Sequence, residues 1–419
     1  MADQTACDIR SPEYLDPGAV EQELRRVFDI CHGCRRCLPL CPSFPDLFKR
    51  IDTSSSEDVD GLKEADMRSV VDLCYQCKLC YNHCPYHPPH RWMVDFPRLM
   101  LRARAARVEQ EGLPLQDRIL GMSDTIGKIG SATAPLSNIA NRTRINRVLM
   151  EKLLGIHRDR NLPRYHRQRF SKWFRRRRAA TGSDKVALFA TCSVEYNEPD
   201  IGKACVQVLE RNNVAVSLPD QKCCGMPWLD GGDLDSALEL ARGNVASLAR
   251  EVHAGADLVV PGPTCSYMLK QEYPQLLDSD DARAVAARTY DISEYLMKRH
   301  KDGKLDTRFA KGPGKVAYHL PCHLKAQNIG FKSRDLLGLI PGTQVEMADR
   351  CSGVDGTWGF KTQYFDLSLK VAEPLLVQIK SARADVVASD CPLACLQIEK
   401  GGGGVPRHPV QIVRDAYGD

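Results

Sequence analysis

The sequence twice spells four cysteines and a proline at one spacing, as Cys31-His-Gly-Cys34-Arg-Arg-Cys37-Leu-Pro-Leu-Cys41-Pro42 and as Cys74-Tyr-Gln-Cys77-Lys-Leu-Cys80-Tyr-Asn-His-Cys84-Pro85. Three thiolates at intervals of three residues allow one turn of backbone to wrap around a compact set of iron atoms. The proline ends the turn, so that the fourth thiolate points away and ligates the other cluster of the pair. The pattern therefore predicts two four-iron clusters that exchange their fourth ligands. One set is Cys31, Cys34, Cys37 and Cys84, and the other is Cys74, Cys77, Cys80 and Cys41.

Structural zinc is the alternative for these thiols. Zinc sites usually pair two C-x2-C segments that come from separate parts of the chain, and each ion takes four thiolates in a tetrahedron. Here each motif has three evenly spaced cysteines, a fourth cysteine and a proline, and the motif occurs twice. This repetition favours iron–sulfur clusters over zinc.

The cysteine content favours redox or metal chemistry over a disulfide scaffold. The chain has 18 cysteines in 419 residues, with 43% hydrophobic and 26% charged residues, so a core can form without disulfides. Secreted disulfide scaffolds are short and begin with a signal peptide. The start of this chain, Met1-Ala2-Asp3-Gln4-Thr5, is polar, and no run of about eighteen apolar residues could span a membrane. The sequence therefore predicts a cytoplasmic protein with reduced thiols.

The distribution of cysteines divides the chain into parts. Eight of the 18 lie between residues 31 and 84, and none lies between Cys84 and Cys192. We predict a helical cluster domain at 20–110, a helical connector with a basic linker at 111–180, a first cysteine-rich domain at 185–300 and a second, degenerate one at 312–419.

The connector has helical patterning and a basic run. Asp95 can cap a helix that begins at Phe96, with proline tolerated in its first turn. Ile145, Leu149 and Leu153 recur at a helical period. Residues 157–178 carry ten Lys or Arg against one Asp. This run could contact an anionic membrane surface, dock an acidic redox partner, or form a solvated loop.

The C-terminal half contains an internal repeat. The segment Val186-Ala-Leu-Phe-Ala-Thr-Cys192 matches Val316-Ala-Tyr-His-Leu-Pro-Cys322, and Ala256-Asp-Leu-Val-Val260 matches Ala384-Asp-Val-Val-Ala388. Short apolar strands that alternate with helical patterns favour parallel α/β units. The predicted fold class is therefore α+β and multidomain, with an all-helical N-terminal module followed by two pseudo-symmetric α/β lobes.

Further cysteines in the two repeats define a recognisable motif. The first repeat has Cys192, then Cys223-Cys224-Gly225, then Gly262-Pro-Thr-Cys265, and the second has Cys322, Cys351-Ser352-Gly353 and Cys391-Pro-Leu-Ala394-Cys395. These resemble the cysteine-rich CCG domain, and the helix-like spacer between the first two motifs resembles a helical ferredoxin module. That arrangement is similar to the family of the C subunit of anaerobic glycerol-3-phosphate dehydrogenase. It also resembles heterodisulfide reductase, the iron–sulfur subunit of glycolate oxidase and lactate-utilisation proteins.

The repeats depart from the family pattern at three positions. Gly262 replaces the first cysteine of C-x-x-C in the first repeat, and Ser352 and Ala394 replace cysteines in the second. Four thiols remain in the first repeat, which suffices for a third iron–sulfur cluster or zinc: Cys192, Cys223, Cys224 and Cys265. A weaker fourth site has three, Cys322, Cys351 and Cys391, or four if Cys395 joins them. The alternatives are buried structural thiols or, in the second repeat, a catalytic or disulfide-forming pair.

The resemblance implies an iron–sulfur oxidoreductase subunit that passes single electrons from a flavoprotein dehydrogenase, or another redox protein, to quinone or another acceptor. It also implies peripheral contact with the inner membrane. A thiol–disulfide reductase related to heterodisulfide reductase and a redox-sensing iron–sulfur adaptor are the alternatives. No catalytic residue is assigned.

Nucleotide and nucleic-acid sites are not predicted. No G-x-G-x-x-G follows a strand and there is no P-loop, so we expect any flavin or nicotinamide to belong to a partner subunit. The basic run at 157–178 is short and no nucleic-acid-binding fold accompanies it. Beyond metal clusters, the sequence therefore predicts no cofactor.

Overall fold

The computed structural model describes residues 8–418, so Cys7 lies outside the described residues. The chain divides into two compact units. The first takes in the described residues up to Arg118 together with Pro227–Ser236, and the second takes in Ile119–Met226 and the described residues from Ala237 onward.

The first unit is helical around the two cysteine motifs. Its main helices are α1 (Pro17–Cys34), α2 (Ser43–Asp52), α3 (Glu64–Leu73) and α4 (Phe96–Glu111). The Asp16 side chain caps α1 ahead of Pro17. The predicted cap of α4 is confirmed, since the Asp95 carboxylate accepts a hydrogen bond of 3.2 Å from the Arg98 backbone N–H. Apolar side chains of all four helices, among them Phe28, Leu47, Val70 and Leu99, form one core.

Short helices connect this part of the chain to the first sheet. They are α5 (Leu115–Gly121), α6 (Ser123–Ala132), α7 (Leu136–Ala140), α8 (Arg144–Leu154) and α9 (Phe170–Arg176). The basic run is more than a loop, because α9 forms within it and Phe170 is fully buried. The helix predicted around residue 149 is present as α8, but the apolar face of this helix is exposed. Ile145, Leu149 and Leu153 are 79%, 53% and 62% exposed.

A four-stranded sheet organises the first cysteine-rich region. Along the chain come β1 (Asp184–Leu188), α10 (Pro199–Arg211), β2 (Val214–Ser217), α11 (Met226–Gly231), α12 (Leu234–His253), β3 (Asp257–Val260), α13 (Pro263–Tyr267), α14 (Tyr273–Leu277), α15 (Asp280–Arg288), β4 (Thr289–Asp291) and α16 (Ile292–Lys301). The strand order is β2-β1-β3-β4, with every pair parallel.

A three-stranded sheet organises the second region. Its elements are β5 (Lys315–His319), α17 (Cys322–Ala326), α18 (Lys332–Gly338), β6 (Gln344–Ala348), α19 (Phe365–Ala382), β7 (Val386–Ser389), α20 (Pro392–Lys400) and α21 (Pro409–Ala416). The order is β6-β5-β7, again parallel. One apolar core includes residues of both sheets, such as Leu188 and Tyr318, so the two lobes share a single core.

The mixed helix and sheet architecture confirms the coarse fold class. The helical N-terminal region and two α/β lobes are present, and β1, β3, β5 and β7 match the predicted apolar strands. The pseudo-symmetry of the lobes stays a prediction. Within residues 8–418, no helix is both long and apolar enough to cross a bilayer.

Candidate metal centres

The structure brings Cys31, Cys34, Cys37 and Cys84 together in the first unit. Burial raises the pKa of the Cys31 thiol well above its usual value, and the neighbouring charges of Cys37, Cys84 and Cys34 raise it further. Burial also raises the pKa of Cys37 to about 12, again with contributions from Cys84 and Cys34. These mutual effects require the four sulfurs to be near one another, although Cys84 is far from the others in sequence.

A second group of thiols surrounds a cavity. Its wall includes Cys41, Cys74, Cys77 and Cys80, with the rings of Phe44 and Phe96 beside them. Burial, then the charges of Cys74 and Cys41, raise the pKa of Cys80. Each group therefore contains one cysteine from the other motif, and an apolar cavity with four thiols fits an iron–sulfur cluster.

The local backbone explains how three close cysteines can face one point. Helix α1 ends at Cys34 because Arg35 adopts a left-handed conformation, with φ of 50°, and its N–H bonds the Cys31 carbonyl at 2.8 Å. Lys78 occupies the same place in the second motif and has φ of 62°. A left-handed residue after the second cysteine reverses the chain, which carries the third cysteine back toward the first two.

The surroundings of the two groups differ in charge. Lys78 is 1% exposed, and its Nζ donates a hydrogen bond of 2.7 Å to Oε1 of Gln76. Arg35 is exposed and pairs with the Asp52 carboxylate. The thiols near Lys78 thus have a buried cation beside them, whereas Arg35, at the same place in the first motif, is exposed and paired with Asp52.

The four predicted thiols of the first lobe also meet. Cys192 follows β1, Cys223 and Cys224 follow β2, and Cys265 follows β3. Ligands of open parallel sheets collect at these carboxyl ends. Hydrogen bonds from Cys192 and Cys224 lower the pKa of Cys223 well below its usual value. The hydrogen bond with Cys223, and then one with Cys265, raise the pKa of Cys224. The four sulfurs therefore form one continuous group.

The Cys223-Cys224-Gly225 loop is held from several sides. Gly225 has φ of 91°, a conformation that glycine adopts readily. Nδ2 of Asn244 donates a hydrogen bond of 3.0 Å to the Cys223 carbonyl, and the Tyr273 hydroxyl donates one of 2.9 Å to the Cys224 carbonyl. Both cysteines are buried. The loop is therefore positioned before any ligand arrives.

Gly262 has a steric reason to lack a side chain. A Cβ atom at Gly262 would lie 2.8 Å from Cγ2 of Thr191, which is closer than such atoms approach. A cysteine at Gly262, as in the family pattern, would require Thr191 to move. The first lobe is therefore built as a site of four thiols.

Asp124 is a site residue that the sequence did not reveal. It lies on α6, outside the cysteine repeats, and its Oδ2 accepts a hydrogen bond of 2.7 Å from the Cys223 N–H. Its Oδ1 lies 4.0 Å from Sγ of Cys192. Burial raises the pKa of this carboxyl. No motif pointed to it because it is 68 residues from Cys192 in the chain.

The second lobe places its three predicted thiols at the corresponding strand ends. Cys322 follows β5, Cys351 follows β6 and Cys391 follows β7. Between them lies Asp355, whose Oδ1 is 2.9 Å from Sγ of Cys322 and whose Oδ2 is 3.4 Å from Sγ of Cys351. Burial raises the pKa of Asp355 to about 6, and that of Cys391 to about 11. This lobe thus gathers three thiols and a carboxylate.

Two other cysteines, Cys205 and Cys395, have different surroundings. Cys205 is fully buried on α10 within the apolar core. Cys395 directs its thiol toward the Ser389 carbonyl, at 3.9 Å, and it lies near Cys391, since burial and then the charge of Cys391 raise its pKa. Within the described residues, no three His, Cys, Asp or Glu side chains are arranged to hold a single metal ion.

Comparison with known proteins places these features in a family. Residues 24–110 match the Citrate utilization protein B Fer4-like domain, and residues 186–270 and 316–399 each match the Cysteine-rich domain called CCG. The chain is 32% identical over 323 residues to the C subunit of the anaerobic glycerol-3-phosphate dehydrogenase of Escherichia coli strain K12, covering 76% of this chain and 81% of that protein. The chain belongs to this family of iron–sulfur proteins.

Other relatives of the family act in different systems. The B subunit of the fumarate reductase (CoM/CoB) of Methanothermobacter marburgensis is 30% identical, over 56% of this chain and 47% of that protein. Lactate utilization protein A of Geobacillus thermodenitrificans is 29% identical, over 55% of this chain and 97% of that protein. Membership of the family supports iron–sulfur clusters, electron transfer and redox-protein partners for this chain.

Proposed function

We propose that this protein is an electron-transfer subunit that carries two four-iron clusters in its N-terminal unit and a third cluster in its first cysteine-rich lobe. The clusters supply single-electron transfer when they are bound. The observation that carries the proposal is the pairing of the eight N-terminal thiols into two groups, each completed by one cysteine of the other motif.

The residues around each group would hold it and exclude water. Phe44 and Phe96 cover the second group with apolar surface, and the buried Lys78 supplies a positive charge near it. In the first lobe, the Asp124 carboxylate holds the backbone beside Cys223. The thiols must lose their protons to bind iron, and bound metal would stabilise the thiolate form of those cysteines whose pKa is raised.

The partners would be a flavoprotein dehydrogenase as donor and a quinone as acceptor. The chain lacks sequence motifs for a nucleotide, so it would receive electrons from a subunit that has a flavin. The glycerol-3-phosphate dehydrogenase relative is itself named as one subunit of a dehydrogenase. The same function is consistent with several donors, because a donor is chosen by surface contacts and not by the cluster ligands.

Contact with the membrane would be made by α8 rather than by the basic run alone. Ile145, Leu149 and Leu153 form an exposed apolar row at intervals of four residues, which is one face of a helix. Arg144 and Lys152 are exposed on the same helix. An apolar face with flanking cations fits the surface of an anionic bilayer. We propose that α8 lies in the membrane interface and so brings the protein to its quinone.

The test uses the full chain, purified anaerobically and reduced with dithionite. Mixing with a water-soluble quinone analogue should reoxidise the clusters, seen as recovery of their visible absorbance. The variant Cys31→Ala should lose part of that absorbance, and Cys205→Ala should keep it. Reduced protein that is not reoxidised by the quinone would overturn the proposed acceptor, and protein without cluster absorbance would overturn the proposed function.

A further inference from the structure

The basic run around α9 presents positive charges that have no partner within the described chain. No Asp or Glu lies between Asp159 and Asp184. The exposed Lys and Arg side chains of this stretch make no ion pair within residues 8–418. We call these side chains the basic surface: Arg164, Arg167, Lys172, Arg175, Arg176 and Arg178. Neighbouring like charges repel one another, so an anionic partner would remove a cost that the isolated chain bears.

Helix α9 turns its cations outward because its other face belongs to the core. Its three cations recur at intervals of three and four residues, which places them on one face. On the other face Phe170 is fully buried, and Trp173 and Phe174 pack against the core of the lobes. The aromatic rings of α9 are therefore committed to the protein interior. Without an apolar side to enter a bilayer, the outer face suits a polar anionic surface better than lipid.

Ion pairs hold α9 at both of its ends. Arg169, the residue before the helix, lies 3.7 Å from the Glu195 carboxylate, which also accepts a hydrogen bond of 2.9 Å from the Ser171 N–H. Arg177, the residue after the helix, pairs with Glu210. These two arginines are thus used to fix the helix. The exposed cations between and beside them are left to meet a partner, and they do so from a fixed position.

The basic surface is attached to the segment that follows Cys192. Nδ2 of Asn197 donates a hydrogen bond of 3.1 Å to the Arg164 carbonyl. The His166 N–H donates one of 2.9 Å to the carbonyl of Tyr196, four residues after Cys192. A protein bound to the basic surface would therefore lie beside the segment that carries a thiol of the first lobe.

We propose that the basic surface docks the acidic face of a redox protein, which exchanges single electrons with the cluster of the first lobe. This inference rests on the proposed function, because it requires that cluster. With a flavoprotein as donor, the anionic flavin hydroquinone loses one electron and becomes the neutral semiquinone, and the oxidised cluster gains that electron. Complementary charges raise the rate of association, and salt screens them.

The test mixes the oxidised full chain with the hydroquinone form of flavodoxin, a small acidic flavoprotein, by anaerobic stopped flow. We expect the second-order rate constant of cluster reduction to fall about tenfold between about 20 mM and about 500 mM salt. The triple variant Lys172→Gln, Arg175→Gln and Arg176→Gln should react about tenfold more slowly than the natural protein at low salt. It should also lose most of the salt dependence.

The matched control is the triple variant Lys301→Gln, Lys311→Gln and Lys370→Gln. It removes the same charge at exposed positions outside the basic surface, so it should react like the natural protein. Cys223→Ala tests where the electron enters, because it removes a thiol of the first-lobe cluster. We expect it to react with flavodoxin as slowly as the α9 triple variant, while excess dithionite still reduces its N-terminal clusters.

Four results would overturn this inference. An unchanged rate and salt dependence in the α9 triple variant would exclude docking at the basic surface. An equal loss in the control variant would show that only net charge matters. An unchanged rate in Cys223→Ala would place the electron entry elsewhere. If the α9 triple variant reacted normally but no longer sedimented with phosphatidylglycerol vesicles, the basic surface would bind lipid.

The dithionite end point separates this inference from the proposed function. If the clusters are reduced by excess dithionite in the natural protein and in both triple variants, any of these four results concerns the docking surface alone. A natural protein that dithionite cannot reduce would instead overturn the proposed function.

Discussion

A hydrogen bond of 3.0 Å joins Oγ1 of Thr264 to Nδ1 of His323. Each residue is the neighbour in sequence of a site cysteine, Thr264 of Cys265 in the first lobe and His323 of Cys322 in the second. The ring of Tyr267 stacks on that of His323 at 5.3 Å. The sequence neighbours of the two cysteine sites are therefore directly bonded to each other.

Removing this bond should loosen the junction of the lobes. Thr264→Val keeps the shape of the side chain but removes the hydroxyl, so we expect the free energy of unfolding to fall by about 1 kcal/mol. Urea unfolding, followed by circular dichroism, measures the change. Thr343→Val is the matched control, because the Thr343 hydroxyl is buried without a hydrogen-bond partner in the described structure. An equal loss of stability in both variants would contradict the assigned role.

Exchange of fourth ligands between the two N-terminal motifs can be tested by single substitutions. Cys41→Ser should disturb the cluster of Cys74, Cys77 and Cys80, although Cys41 belongs to the other motif. Cys84→Ser should disturb the cluster of Cys31, Cys34 and Cys37. Each variant should lose up to about four iron and one of two EPR signals. If both variants affected the same signal, the predicted assignment of ligands would be wrong.

The buried Lys78 should make the two N-terminal clusters unequal in reduction potential. A nearby cation stabilises the reduced, more negative form of a cluster, and burial strengthens the effect. We therefore expect Lys78→Met to lower the potential of the cluster near Cys77 by on the order of 60 mV, a tenfold change in its equilibrium constant. An EPR-monitored titration measures the shift. Arg35→Met is the control and should change the other potential less, because Arg35 is exposed and paired with Asp52.

Because His408 is buried, we expect the folded protein to lose stability in mild acid. Nδ1 of His408 accepts a hydrogen bond of 3.1 Å from the Val410 N–H, and burial lowers the pKa of His408 to about 3. In the unfolded chain the pKa is about 6.5, so between these values only the unfolded state binds the proton and stability falls as the pH falls. The expected loss is about 2 kcal/mol between pH 7 and pH 5.

The variant that tests this pH effect is His408→Asn, since asparagine can also cap α21. Urea unfolding at pH 7 and pH 5 should show a smaller pH dependence in this variant than in the natural protein. His253→Asn, at an exposed histidine beside Asp281, is the control substitution. A pH dependence that was equal in His408→Asn and the natural protein would rule out His408 as its source.

The apolar row of α8 should bind anionic lipid. The double variant Leu149→Glu with Leu153→Glu adds charge where the natural side chains would enter the bilayer, so binding should weaken by about tenfold or more. Sedimentation with vesicles containing phosphatidylglycerol, and with neutral vesicles, measures it. Val405→Glu changes an exposed apolar residue outside α8 and should bind normally. If the double variant bound as well as the natural protein but no longer self-associated, the row would be a contact between copies of the chain.

Several elements could be predicted because local sequence determines them. The Asp95 cap and the apolar strands β1, β3, β5 and β7 depend on neighbouring residues. The short strand β4 and the edge strand β6, with its alternating Gln344-Val-Glu-Met-Ala348, were missed since only pairing with a neighbouring strand defines them. The outward face of α8 was also not foreseeable, because periodicity does not tell which side of a helix is covered.

In the candidate sites, too, only the residues that local sequence defines could be predicted. Cysteines at fixed spacings could be found by motif, and strand ends bring them together. Asp124 and His323 reach the sites only through the packing of distant segments. Asp355 did have a signal, since it follows the position where a cysteine is replaced by Ser352. The meaning of that signal depends on the left-handed turns of the loop, which the sequence does not reveal.

The most direct test of the central claim is the iron, zinc and sulfide content of the anaerobically purified full chain, with an EPR-monitored redox titration of the same sample. Two N-terminal clusters require at least about eight iron per chain and two reduced signals that interact. Additional iron, with a signal lost in Cys223→Ala, is expected from the first lobe. Zinc bound in place of iron, with no reducible signal, would contradict an electron-transfer function.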